Sequence, residues 1–147
     1  MEKVLNEQIT KQISEVFAEL THPVQLLFFG SEENCEYCSQ AKQLLSEISE
    51  IDKRVGLSIY DLKKDAGVAA QYNVEKVPVI VVASKNGEQV IDLGVQFSGI
   101  PSGYEFSTLI NDILIASKQD SGLGAATREF LKTLTQPLLL QVFVTPT

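Results

Sequence analysis

Cys35 and Cys38 are the only cysteines of the 147-residue chain, and Glu36 and Tyr37 separate them. Thiols three residues apart on one face of a helical turn are close enough to close a disulfide. Such a pair supports two-electron exchange, in which one thiolate attacks a disulfide sulfur and the second thiol resolves the mixed disulfide. Cys35 is the expected nucleophile and Cys38 the expected resolving thiol, together forming a redox-active Cys35–Cys38 disulfide. At a helix start, with Asn34 as the expected N-cap, Cys35 faces unpaired N–H groups and the positive end of the helix dipole. Such settings lower a thiol pKa from about 8.5 to roughly 3.5–7.5. No cofactor beyond this disulfide is expected.

Two other readings use the same residues. A structural zinc site needs about four protein ligands. The chain offers two cysteines and a single histidine, His22, so no metal site is expected. A pair of inert buried thiols is the second reading, and a place at a helix start argues against it. Weaker candidates surround the pair. Lys42 can favour a thiolate or simply be a solvated helix lysine. Glu32, Glu33 and Glu36 oppose a thiolate, subject to screening. Tyr37 can flank a substrate groove, Asp61 can accept a proton or cap a turn, and His22 reads as a junction residue.

The elements that must position the cysteines follow from periodicity. Val4, Leu5, Ile9, Ile13, Val16, Phe17 and Leu20 predict an amphipathic helix over about 3–20. It ends before Pro23, because a residue preceding proline leaves the helical region. Val24 to Phe29 is an apolar run suited to a buried strand. Cys38, Ala41, Leu44, Leu45 and Ile48 form the buried stripe of the next helix. A second strand is predicted over 55–60 and a short helix over 66–72. Val79 to Val82 suits a strand buried on both faces. Asn86-Gly87 signals a tight hairpin into an antiparallel strand near 89–93. Phe106, Leu109, Ile110, Ile113 and Leu114 mark a last helix of this unit. The expected architecture is α/β: a central four-stranded mixed sheet flanked by helices, with an extra N-terminal helix and a C-terminal helix–strand tail.

Val77-Pro78 stands just before the third strand, where proline is tolerated. If that bond is cis, the Val77 backbone turns outward and can hydrogen-bond an extended substrate. About 5–6% of X–Pro bonds are cis, so composition alone favours trans.

The net charge is −7, which argues against non-specific binding to nucleic acid. No stretch approaches the roughly 20 apolar residues of a membrane span, and the N-terminus lacks a signal-like apolar run. Neither a nucleic-acid nor a membrane partner is expected, and the expected compartment is the cytoplasm, where lone cysteine pairs favour redox chemistry over structural stapling.

Leu20-Thr21-His22-Pro23-Val24-Gln25-Leu26-Leu27-Phe28-Phe29 has an echo in Leu134-Thr135-Gln136-Pro137-Leu138-Leu139-Leu140-Gln141-Val142-Phe143. Each follows a helical pattern, the second over about 125–134. The division expected is a first domain over 1–118, then a linker helix and the first strand of a truncated second unit over 119–147. The strand 138–144 then lacks its sheet, and self-association through it is one outcome.

Strand, Cys35-x-x-Cys38 at a helix start, and Val77-Pro78 before a hairpin together resemble the thioredoxin superfamily. Tyr72-Asn73-Val74-Glu75-Lys76-Val77-Pro78 and Gly99-Ile100-Pro101-Ser102-Gly103-Tyr104-Glu105-Phe106 sharpen the match. With them the chain resembles the N-terminal unit of the glutaredoxin-like protein disulfide oxidoreductases of thermophiles. A related tandem fold is the N-terminal domain of the alkyl hydroperoxide reductase flavoprotein, whose first unit has usually lost its cysteines. The resemblance implies a tandem thioredoxin fold acting as a disulfide reductase, oxidase or isomerase on protein thiols and disulfides. It also implies a thioredoxin-reductase-like electron donor, and it assigns Pro78 as the cis-proline facing the cysteines. Two positions depart from thioredoxin itself: no tryptophan precedes Cys35, and Phe29 stands where thioredoxin keeps a buried aspartate. A peptide-binding or scaffold unit with weak redox activity is the alternative reading.

Overall fold

The computed structural model describes residues 3–145. In chain order its elements are α1 (Glu7–Phe17), β1 (Val24–Gly30), α2 (Cys38–Ile51), β2 (Val55–Asp61), α3 (Ala66–Gln71), β3 (Val79–Asn86), β4 (Gln89–Ser98), α4 (Tyr104–Lys118) and α5 (Ala125–Lys132). Every residue of β1 is buried, as its largely apolar run requires; the one polar side chain, Gln25, donates to Ser58 Oγ at 2.9 Å. β2 pairs parallel to it, from Val24↔Val55 to Gly30↔Asp61. β3 pairs antiparallel on the other side, from Val24↔Ser84 to Phe29↔Val79. β4 completes the sheet in the order β2-β1-β3-β4. Gly87, at φ 59°, supplies the left-handed residue of the two-residue turn between β3 and β4. This is the four-stranded mixed sheet expected from the sequence.

Alternation along β1 and β3 divides the core between the two faces of the sheet. Leu26, Phe28, Ile80 and Val82 meet α1, α2 and α4 through Ile13, Phe17, Ala41, Leu45, Leu109 and Ile113. Leu27, Phe29, Val79 and Val81 meet the smaller α3 side through Ala69 and Val74.

The ends of α1 differ from the helix predicted over 3–20. The Asn6 side chain accepts the Ile9 N–H at 2.8 Å and starts the helix there. At the other end, the Arg54 guanidinium donates to the carbonyls of Leu20 (2.5 Å) and Phe17 (2.8 Å). The Phe17 carbonyl also accepts the Leu20 N–H at 3.1 Å, so Arg54 adds a side-chain donor to the turn that ends the helix. Asp52 holds the guanidinium in place, with 2.6 and 2.9 Å contacts. That hydrogen bond from Arg54 keeps the Asp52 carboxyl below its usual range.

The tail departs more. α5 forms where the helical pattern predicts it but buries no residue. Leu138 to Val144, predicted as a strand, forms none, and Leu139, Leu140, Val142 and Phe143 are each more than 80% exposed. The apolar pattern is present, but no strand edge lies beside it to supply ladder hydrogen bonds.

Glu47 on α2 binds the segment before α1. Its carboxylate accepts the N–H groups of Val4 (2.9 Å) and Leu5 (2.8 Å). Desolvation pushes this carboxyl up, but the N–H groups of Leu5 and Val4, with Gln43 and Lys3, outweigh it, and the net shift is downward. A depressed folded-state value adds stability above the unfolded value, and that stability disappears as pH falls through the folded one. Glu47→Gln should therefore lower unfolding free energy by about 1 kcal/mol at neutral pH, given the site's exposure. The gap from the parent chain should close below about pH 4. Urea melts at pH 7 and pH 3.5 check both statements.

Candidate redox site

Cys35 and Cys38 are joined in a disulfide, with Cα atoms 5.4 Å apart. The helix start differs from expectation. Asn34 does not cap it: its φ is 53°, a left-handed conformation that Asn tolerates better than most residues. Residues 35–37 form a turn, Tyr37 takes the N-cap position, and α2 opens at Cys38. The first bond of the helix runs from the Ala41 N–H to the Tyr37 carbonyl at 2.9 Å. Cys38 is 7% exposed and packs into the larger core cluster, whereas Cys35 is half-buried at its margin. An approaching molecule therefore meets the sulfur of Cys35 first.

Gly30, the last residue of β1, makes room for this disulfide. A Cβ at Gly30 would lie 3.3 Å from Cys38 Sγ and 2.7 Å from Phe28 Cε1. The Val77–Pro78 peptide is cis. Pro78 is buried, and its carbonyl accepts the Gly99 N–H at 2.9 Å. The β1–β3 register ends at Phe29↔Val79, so one further step sets Pro78 beside Gly30. Pro78 and Cys38 are therefore neighbours of the same glycine.

The loop before Cys35 is tied to the turn after β2. The Gly30 carbonyl accepts the Leu62 N–H at 2.9 Å. The Asp61 carboxylate accepts the N–H groups of Lys63 (2.9 Å) and Lys64 (3.0 Å). The Lys64 N–H foremost, with those of Lys63 and Glu32, holds this carboxyl below its usual range despite desolvation. Asp61 thus caps a turn and also reaches the redox loop through Glu32. Side chains repeat the tie, with Lys63 Nζ at 2.6 Å from Glu33 and Lys64 Nζ at 3.0 Å from Glu32.

No family model matches the chain. Among solved structures, it is similar to a protein disulfide oxidoreductase from Aeropyrum pernix. That match has a TM-score of 0.77 and 30% identity, and covers 90% of this chain and 57% of the other. It is also similar to the alkyl hydroperoxide reductase AhpF from Enterococcus faecalis, with a TM-score of 0.76 and 27% identity over 88% of this chain and 61% of that one. A curated relative, the corresponding alkyl hydroperoxide reductase protein of Staphylococcus aureus, is 29% identical over 114 residues, 78% of this chain and 19% of that protein. The chain has a thioredoxin-like fold that carries a Cys-x-x-Cys pair. It spans under two thirds of the solved chains just described and about a fifth of the curated relative.

The other candidates fall in several places on this thioredoxin-fold unit. Tyr37 is 47% exposed beside the disulfide, and Val77 is half-buried next to Pro78. Lys42 is an exposed residue of α2. His22 lies away from the cysteines, held on the end of α4. Its Nδ1 is 3.0 Å from the Ser117 carbonyl oxygen, and Ser117 Oγ donates to the His22 carbonyl at 2.6 Å. Among the described residues, no three or more His, Cys, Asp or Glu side chains gather as a metal site would need. Phe29 turns to the opposite face of the sheet from Cys38, stacked on Tyr60 at 5.3 Å between ring centroids.

Two features of the site escaped the sequence reading. Gly30 carried a signal, since glycine inside a strand often marks a close approach. Lys63 and Lys64 carried none, because their pairing depends on where β2 ends beside the loop. Gly30→Val should press on Phe28 and the Cys38 sulfur and cost roughly 1–3 kcal/mol of stability. Thermal melts of oxidised and reduced protein should show the larger loss in the oxidised form, whose sulfur is fixed. Equal losses would mean that the glycine serves strand packing alone.

Proposed function

We propose that this chain is a thiol–disulfide oxidoreductase unit that exchanges disulfides with protein substrates through Cys35 and Cys38. The observation that carries the reading is the difference in exposure across one bonded pair: Cys35 at the surface, Cys38 buried behind it. In the reducing direction, the Cys35 thiolate attacks a substrate disulfide. One substrate sulfur leaves as a thiolate, and a mixed disulfide to Cys35 forms. Cys38 then loses its proton and attacks the Cys35 sulfur, which releases the second substrate thiolate and restores the Cys35–Cys38 disulfide. Two electrons pass from dithiol to substrate. The reverse sequence oxidises a substrate dithiol.

Several features support substrate binding at the same place. Val77, next to the cis-proline, can offer its backbone to an extended peptide, and exposed Tyr37 can flank it. Dithiol donors of the thioredoxin-reductase kind would recharge the pair, as suits a reducing, cytoplasmic setting. No helix among the described residues is long and apolar enough to cross a membrane.

Turnover of insulin disulfides with dithiothreitol tests this reading. Cys35→Ser should fall to the uncatalysed rate. Cys38→Ser should accumulate a mixed disulfide on Cys35 and also stop turning over. Rates equal to the parent chain in Cys35→Ser would leave only a peptide-binding or scaffold role.

We further propose that residues 119–147 begin a second unit of the same kind. Support comes from the repeat of Leu20–Phe29 in Leu134–Phe143 and from the exposed apolar run Leu138–Val144. Without a partner sheet, that run should drive self-association. Sedimentation of the chain at rising concentration should show oligomers. The double variant Leu140→Lys, Val142→Lys should stay monomeric while exchanging disulfides at the parent rate. Oligomers of unchanged size in that variant would count against a role for the tail.

A further inference from the structure

The acidic loop poses an electrostatic difficulty for a thiolate at Cys35. Glu33 is two residues before Cys35, so their Cα atoms are at most about 7.6 Å apart. That distance falls within a Debye length at physiological salt, about 8 Å. Glu32 and Glu36 add two more carboxylates close in sequence. Carboxylates this close in sequence disfavour a thiolate at Cys35, to the extent that solvent does not screen them. Asp61 and Asp65 in the turn after β2, Lys42 on α2 and the pair Glu75 and Lys76 before Val77 are the other charged groups of the neighbouring segments.

The turn after β2 answers this difficulty with two cations. Lys63 pairs with Glu33 at 2.6 Å and Lys64 with Glu32 at 3.0 Å. Both lysines are fixed at their backbones, because Asp61 accepts each of their N–H groups. The same carboxylate takes the Glu32 N–H, so Asp61 bridges loop and turn. Every glutamate of the loop that precedes Cys35 is thereby matched by a lysine from another element.

We propose that Lys63 and Lys64 are positioning residues of the redox centre, which neutralise Glu33 and Glu32 and so set the thiolate stability and reduction potential of Cys35. This rests on Cys35 being the attacking thiol. The readouts below need no protein substrate, so a failure of the exchange reading would remain separable. Holding the thiolate stabilises the dithiol relative to the disulfide. Loss of the lysines must therefore make the pair more reducing.

The test uses the intact chain. In Lys63→Gln, Lys64→Gln, the pH profile of iodoacetamide alkylation of the reduced protein gives the Cys35 ionisation. Equilibration with glutathione buffers gives the potential. Exposed ion pairs are individually weak, so the expected effect is about a threefold loss in the Cys35 ionisation constant. The same factor in the exchange equilibrium corresponds to about 14 mV toward more reducing potentials. Both effects should shrink in 1 M salt. Glu32→Gln, Glu33→Gln supplies the converse: with the lysines kept, the Cys35 ionisation constant should rise and the potential move toward less reducing values. An unchanged ionisation and potential in the lysine variant, with circular dichroism showing an intact fold, would overturn the proposal. So would an unchanged ionisation in the glutamate variant, since the carboxylates would then exert no field for the lysines to offset.

Discussion

The pairing of β1 between β2 and β3 is the constraint on which the rest of the site depends. β1 is buried along its whole length, so its register with both neighbours is fixed by which side chains face each half of the core. A slip of one residue would move Leu26 and Phe28 to the α3 side and place Leu27 and Phe29 under α2. It would also move Gly30 away from Cys38. The parallel pairing with β2 brings Asp61 opposite Gly30, and the antiparallel pairing with β3 brings Pro78 there. Three chain segments far apart in sequence thus converge on the one residue whose missing side chain leaves room for a sulfur.

That convergence explains why the two cysteines differ although they lie three residues apart. Cys38 opens α2 and follows the helix into the core, where Ala41, Leu45 and Ile48 continue its stripe. Cys35 precedes the helix, on a turn that Asn34 enters through a left-handed conformation. The helix therefore buries one sulfur and leaves the other at the margin. In the proposed exchange this asymmetry would supply direction, with the accessible sulfur receiving the attack and the protected one leaving and returning. The geometry comes from where the helix begins.

Much of this was legible in the sequence, and the exceptions share a physical cause. Apolar runs and their periods identified every strand of the sheet and the order of elements, because burial writes a period into the residues themselves. Cys35-x-x-Cys38 after an apolar run announced the chemistry. Long-range pairing writes no period. The cis state of Val77–Pro78, the room left by Gly30, the Arg54 cap on α1 and the lysine–glutamate pairs of the loop each depend on a partner distant in sequence. Asn34 illustrates a local version of the limit. Asn suits both an N-cap and a left-handed turn, and the choice between them was made by the turn that holds Cys35. The segment 138–144 shows the converse: a strand-like pattern with no neighbour to pair it stays outside regular structure.

The acidic loop and its lysines show how a site can separate solubility from reactivity. Like-charge repulsion on an acidic surface favours solubility, and the loop beside Cys35 shares the acidic character of this chain, whose net charge is −7. A redox thiol needs the opposite field, since the thiolate is the reacting form. Changing the loop's own residues would alter both properties together. Pairing Glu32 and Glu33 with cations from the β2–α3 turn would, on the proposal above, offset the field at the sulfur and leave the rest of the surface acidic. The pairing is possible only because Asp61 fixes the backbone of both lysines at the level of the loop, and Asp61 is itself placed there by its register with Gly30. The electrostatics of the redox centre are therefore a consequence of strand pairing, as its shape is.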